Sequence, residues 1–97
     1  MDALHSTATT ALGTLLSEQP NTREKIVFAW QIAAGPAMSR AAEVVWTGDG
    51  VLRVRARSES WRREIARGEP MILDRLRLVL GRGVVRKLIV ESRNAYA

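Results

Sequence analysis

The chain has 97 residues, no cysteine, one histidine and a formal charge of +5. That length holds one domain with one modest core. The absence of cysteine excludes a disulfide framework, thiol chemistry and a cysteine-based zinc site. A hydrophobic fraction of 46% with 26% charged residues is globular rather than disordered composition, and the basic excess favours polyanionic partners.

In chain order, residues 3–17 place Leu4, Ala8, Ala11, Leu12, Leu15 and Leu16 at three- and four-residue spacings, which predicts an amphipathic helix. Glu18 to Asn21 reads as a linker, because Pro20 biases its predecessor away from helix. A second helix starts at Asn21 or Thr22, with Glu24 at capping-box spacing from Asn21. Its apolar face is Ile26, Val27, Trp30, Ala33 and Ala34. Gly35 and Pro36 stop it, and a short turn runs through Ser39. The longest apolar stretch, Ile26 to Met38, holds Gln31, Gly35 and Pro36 and falls short of the roughly 18 residues of a spanning helix. The first residues lack the pattern of a signal peptide. A cytoplasmic protein with no membrane contact is the expectation.

Ala41 to Thr47 is rich in strand formers, and Gly48-Asp49-Gly50 marks a hairpin turn. Val51 to Arg57 alternates, with Leu52, Val54 and Ala56 on one face and Arg53, Arg55 and Arg57 on the other. Ser58 or Ser60 caps a helix bearing Trp61 and Ile65 four residues apart. Gly68-Glu69-Pro70 breaks it, and Pro70 suits the first turn of a further helix with Ile72, Leu73, Leu76, Val79 and Leu80 facing inward. Gly81-Arg82-Gly83 ends that helix. Val84 to Glu91 is a third strand whose inward phase is ambiguous, since apolar residues fall on both. The predicted order is α-α-β-β-α-α-β. Helices covering one face of a small sheet make an α+β two-layer domain, with residues 1–20 as an N-terminal helix and linker and 21–97 as the domain.

The arginine strand is the most informative feature. Arg53, Arg55 and Arg57 stand about 6.6 Å apart along an extended strand, close to the spacing of successive phosphates. Arg62, Arg63 and Arg67 follow on the next helix, so six arginines face only Glu59 and Glu64 over this stretch. Guanidinium groups bind phosphate bidentately and stack on bases. The same residues also suit a solvated outer face, with Glu43 as a cross-strand partner. Trp30, Trp46 and Trp61 each lie on an apolar face and read first as core. Trp61, directly after the arginine strand, is the one placed to stack on a base or anchor an interface. His5 has no partner nearby, and Asp49 is a turn residue. No nucleophile–base spacing, phosphate-binding loop or dinucleotide fingerprint appears. The reading is therefore non-enzymatic, with no catalytic residue, metal or cofactor.

From Trp30 to Val90 the chain resembles the DciA family, bacterial proteins that act with the DnaB-type replicative helicase. The carriers are Trp30 with Gly35, the Gly48-Asp49-Gly50-Val51-Leu52-Arg53-Val54 hairpin, and Ser58-Glu59-Ser60-Trp61 with Glu64 and Ile65. Ile72-Leu73, Leu76, Gly81 and Leu88-Ile89-Val90 complete them. The resemblance implies a type II K-homology-like domain, α-β-β-α-α-β, preceded here by an extra helix. Nucleic-acid-binding K-homology domains clamp a backbone with a G-x-x-G loop between two helices. That junction here is Arg67-Gly68-Glu69-Pro70-Met71, with one glycine and an acid that repels phosphate. Nucleic-acid contact is therefore expected at Arg53, Arg55, Arg57, Arg62, Arg63 and Arg67, and partner contact at Trp61 and Arg62. Many family members carry a further basic segment. This sequence ends soon after Glu91, which reads as the domain alone.

Three functions follow from these residues. The first is a replication factor that binds the replicative helicase and DNA, expected to be single-stranded, to assist helicase loading or activation. The second is a general single-strand nucleic-acid-binding domain. The third is a protein-interaction module whose arginines only solvate it. The first is the expectation, with no small-molecule substrate and with a cytoplasmic, nucleoid-associated location.

Overall fold

The computed structural model describes residues 21–93; the predicted helix over residues 3–17 lies outside them. Helix α1 spans Arg23–Ala34 and begins at Thr22, whose hydroxyl accepts from the Lys25 amide. Asn21, expected as an alternative start, plays another part. Its side-chain oxygen accepts from the Lys25 ammonium at 3.0 Å, which lets a lysine lie buried along the helix. Gly35 ends α1 at φ 85°. Pro36 then starts a five-residue helix, α2 (Pro36–Arg40), where a plain turn was expected. Proline has no amide to lose at a helix start, and its fixed φ suits the first turn.

Strands β1 (Ala42–Trp46) and β2 (Val51–Ala56) form the predicted hairpin. Asp49 holds the turn with its carboxylate, which accepts from the Thr47 hydroxyl at 2.8 Å and the Val51 amide at 3.1 Å. The Thr47 bond, then the Val51 bond, hold its carboxyl below the ordinary 3.8. A depressed folded-state value contributes stability that is fully present above the unfolded-state value and is lost as pH falls through the folded one. The hairpin should therefore loosen only below about pH 3.8, and the Asp49→Asn variant should lose that acid-side dependence in a urea-midpoint series.

Gly50 is the tighter constraint. Its φ is 87°, and a β-carbon there would come within 2.6 Å of the Arg86 guanidinium. Arg86 itself donates to the Asp49 carbonyl at 2.9 Å, and the Arg86 and Lys87 amides both donate to the Gly50 carbonyl. Gly50→Ala combines left-handed backbone strain of about 1–2 kcal/mol with displacement of Arg86. A drop of at least that size is expected in the free energy of urea unfolding.

Helix α3 (Glu59–Arg67) starts at Ser58, whose hydroxyl accepts from the Trp61 amide at 3.2 Å, so Ser58 rather than Ser60 is the cap. Gly68 alone separates it from α4 (Glu69–Leu80), which runs to Gly81. Strand β3 (Lys87–Ser92) lies parallel to β2, giving the order β1-β2-β3. A parallel neighbour needs a crossover, and α3 with α4 supply it. β3 starts three residues later than predicted. Gly83, at φ 89°, turns the chain, and pairing begins only where Lys87 meets Val51. Val84 and Val85 sit in the preceding loop, with Val85 buried beneath it.

The core lies between one sheet face and the helices. Leu52, Val54 and Ala56 of β2 are fully buried against Ile26 and Trp30 of α1, Ile65 of α3, and Ile72, Leu76 and Val79 of α4. β3 contributes Leu88, with Val90 partly buried beside it, which settles the inward phase. Ala29 is also fully buried, whereas the predicted face residues Val27 and Ala34 only flank the core. The α+β two-layer expectation holds: a three-stranded sheet with helices on one face. The other face carries no element among the described residues.

Candidate nucleic-acid interface

Strand alternation puts Arg53 and Arg55 on the uncovered face, because Leu52, Val54 and Ala56 are drawn into the core, and Arg57 follows just past the end of β2. The register aligns the neighbours in rows. Arg53 lies between Val45 and Ile89, and Arg55 between Glu43 and Glu91. Lys87 opposes Val51, and Arg93 lies one residue past the end of β3. Among the described residues the face thus holds Arg53, Arg55 and Lys87, with Arg57 and Arg93 just past the strand ends, against Glu43 and Glu91. A shallow groove of about 540 Å³ runs over it, lined in part by Arg53, Arg55 and Arg93.

Pairing on this face differs from the expected cross-strand arrangement. Arg55 donates to Glu91 at 3.3 Å, while Glu43 pairs with Arg93 at 3.4 Å. Both ion pairs are exposed to solvent, where such pairs contribute about 0–1 kcal/mol and open readily to a polyanion. Arg53 makes no ion pair among the described residues and sits between two half-buried aliphatic side chains. Its favourable charge contact is the longer-range one with the Asp49 carboxylate. Lys87, Glu91 and Arg93 were missed at the sequence level. The alternation Lys87, Ile89, Glu91 carried a signal, but only pairing with β2 says that this phase points outward.

The six arginines do not form one patch. Arg62, Arg63 and Arg67 lie on α3, which packs through Ile65 on the covered face of the sheet. They therefore sit in the helix layer, across the sheet from Arg53 and Arg55. Arg62 donates to Glu59 at 2.7 Å and Arg67 pairs with Glu64 at 3.1 Å. The Arg62 bond holds the Glu59 carboxyl below its ordinary range. Of the three, Arg63 alone lacks an ion pair among the described residues. Trp61 is half-buried against the core, as is Trp46, while Trp30 is buried. Trp61 can present only part of its ring to a partner.

The α3–α4 junction has none of the geometry of a backbone-clamping loop. Gly68 sits at φ −88° and ψ 4°, which any residue adopts, and an added β-carbon would meet nothing closer than 3.7 Å. Gly68→Ala is expected to fold with unchanged or slightly higher stability, by about 0.4–1 kcal/mol, and to leave oligonucleotide affinity unaltered. Thermal unfolding with a parallel anisotropy titration checks both. No cluster of three or more metal-ligating side chains occurs among the described residues, and no helix there is long and apolar enough to cross a membrane.

Compared with protein families, the chain matches the family described as Dna[CI] antecedent, DciA, over residues 3–90. The chain belongs to the DciA family. The match takes in most of the sequence, including residues upstream of those described. No curated protein and no solved structure matches it. DciA proteins are bacterial DNA-replication factors with a role in loading the replicative helicase DnaB, with which they associate; they are not a catalytic family. Within the matched range, Gly48 to Val54 forms the β1–β2 turn and the start of β2, which builds the uncovered face, while Ser58 to Trp61 forms the cap and first turn of α3 in the helix layer.

Proposed function

We propose that this chain is a non-enzymatic replication factor that binds both the replicative helicase and DNA, and so assists helicase loading or activation. The observation that carries the DNA part is the uncovered sheet face, where Arg53, Arg55 and Arg57 stand in a row with Lys87 and Arg93 beside them. Cations repeated at two-residue spacing along a strand suit an extended single strand, whose phosphates recur at a similar interval. The contact argued here is between these cations and phosphates, which makes it sequence-tolerant and strongly salt-dependent. Arg62, Arg63 and Arg67 would extend the basic surface around the helix layer. Trp61 with Arg62 is the proposed helicase contact, because tryptophan and arginine carry interface energy out of proportion to their number. With the five-residue α2 counted as part of the α1–β1 connection, the element order α-β-β-α-α-β supports a type II K-homology-like domain over residues 21–97, without the G-x-x-G clamp. The location that goes with this role is the cytoplasm, at the nucleoid.

The test is a pull-down with the replicative helicase of the same organism, paired with fluorescence anisotropy on a labelled single-stranded oligonucleotide at low and high salt. Helicase capture together with salt-sensitive DNA binding supports the reading. DNA binding without helicase capture would favour a general single-strand-binding domain, which the same sheet face also suits. A folded Trp61→Ala chain that still captures the helicase unchanged would remove Trp61 from the contact.

A further inference from the structure

The outer side of α4 presents a second, chemically different surface. Leu78 is 56% exposed, although the neighbouring Leu76, Val79 and Leu80 are buried. It borders a groove of about 640 Å³ between the end of α4 and the loop leading to β3. Val85 forms part of its lining, and Arg77, Arg82 and Arg86 surround it. Arg86 is fixed in place by its bond to the Asp49 carbonyl, and Arg82 makes no ion pair among the described residues. Asp74 is the one carboxylate among the described residues of the lining, 3.4 Å from Arg77.

From this juxtaposition we infer that the groove between α4 and the β3-leading loop docks an amphipathic protein segment, an apolar anchor flanked by carboxylates. The charge selects against a purely apolar partner, since three arginines surround the leucine. The leucine selects against a phosphate backbone, which has nothing to bury an aliphatic side chain, and Asp74 adds repulsion. A helix carrying leucines one turn apart between glutamates satisfies both: it covers Leu78 and sets carboxylates against Arg82 and Arg86, where planar guanidinium groups pair bidentately. Arg86 is already ordered, so part of the cost of fixing its side chain is met before binding. The surface is separate from the arginine face of the sheet, and the inference does not depend on the helicase-and-DNA reading.

The experiment uses the whole chain, isotope-labelled for amide NMR. It is titrated with a synthetic helical peptide of about sixteen residues bearing leucines at i and i+4 flanked by glutamates, and separately with a single-stranded oligonucleotide. The expected result is saturable peptide shifts at Leu78, Gly81, Gly83 and Arg86. They should be weakened about tenfold or more by Leu78→Glu or Arg82→Glu and abolished when the peptide leucines become alanines. Both substitutions sit at exposed positions, so the folded spectrum should persist. Three outcomes overturn the inference. The first is peptide shifts confined to the sheet face or absent. The second is oligonucleotide shifts at these same amides with displacement of the peptide, which assigns the groove to nucleic acid. The third is shifts there that follow protein concentration without peptide, which assigns it to a second copy. None of these readouts involves the helicase, so failure here and failure of the replication reading are distinguishable.

Discussion

Trp30→Ala should cost about 3–5 kcal/mol, the range for removing a large buried aromatic ring. The indole is 2% exposed and sits among Ile26, Leu52, Ile65 and Leu76, all fully buried. Domains of this size have roughly 5–15 kcal/mol to lose, so most of the stability margin should go. A urea titration followed by circular dichroism checks it, with a large fall in midpoint expected. Among the described residues the indole N–H has no hydrogen-bond partner, although it is buried. An unpaired buried donor costs about 1–3 kcal/mol. Trp30→Phe removes that donor while keeping most of the ring, and should therefore be far milder than alanine. A phenylalanine variant as damaging as the alanine one would show that shape at this position outweighs the orphaned donor. Trp61→Ala should cost less than Trp30→Ala, because Trp61 is only half-buried.

The second large effect is expected on nucleic-acid binding. Reversing Arg53, Arg55 and Arg57 to glutamate takes the formal charge from +5 to −1 and turns the uncovered sheet face acidic. Affinity for a single-stranded oligonucleotide at low salt should fall by about 100-fold or more, and the salt dependence should flatten by roughly 0.7 of a log unit for each phosphate no longer neutralised. The three arginines should not contribute equally. Arg53 makes no ion pair among the described residues and lies beside Val45 and Ile89, whereas Arg55 must first leave Glu91. Arg53→Ala should therefore weaken binding more than Arg55→Ala. All three are exposed, but glutamate at position 55 would stand between Glu43 and Glu91, where like charges repel, so circular dichroism must first show the triple variant folded. Anisotropy titrations at several salt concentrations decide the point: retention of wild-type affinity by the triple variant would move the site to the helix-layer arginines.

Local chemistry made much of this legible in advance. The period-two alternation of Val51 to Arg57 set both the buried and the charged face of β2, because a strand has only two sides. Gly48-Asp49-Gly50 marked the hairpin, since glycine tolerates the positive φ it adopts at both flanking positions. Gly35, Gly68 and Gly81 punctuated the helices where they end. What failed locally did so for local reasons as well: Thr22 and Asn21 are both good caps, and only the built helix shows Asn21 spent on the Lys25 ammonium.

The remainder needed the tertiary structure, because it depends on which segments become neighbours. Six arginines close in sequence became two groups on opposite sides of the sheet once α3 had to bury Ile65 on the covered face. Glu91 joined Arg55 only through the parallel pairing of β3, which is separated from β2 by two helices and leaves no trace in local periodicity. The groove beside Leu78 likewise arises where the loop over residues 81–86 folds back toward the hairpin turn and Arg86 reaches Asp49. Sequence by itself determined most of the described elements, the inward face of β2 and the basic character of the chain, which are set by residues within a few positions of one another. Tertiary packing decided which charges share a surface, because surfaces are assembled from residues that only the fold brings together.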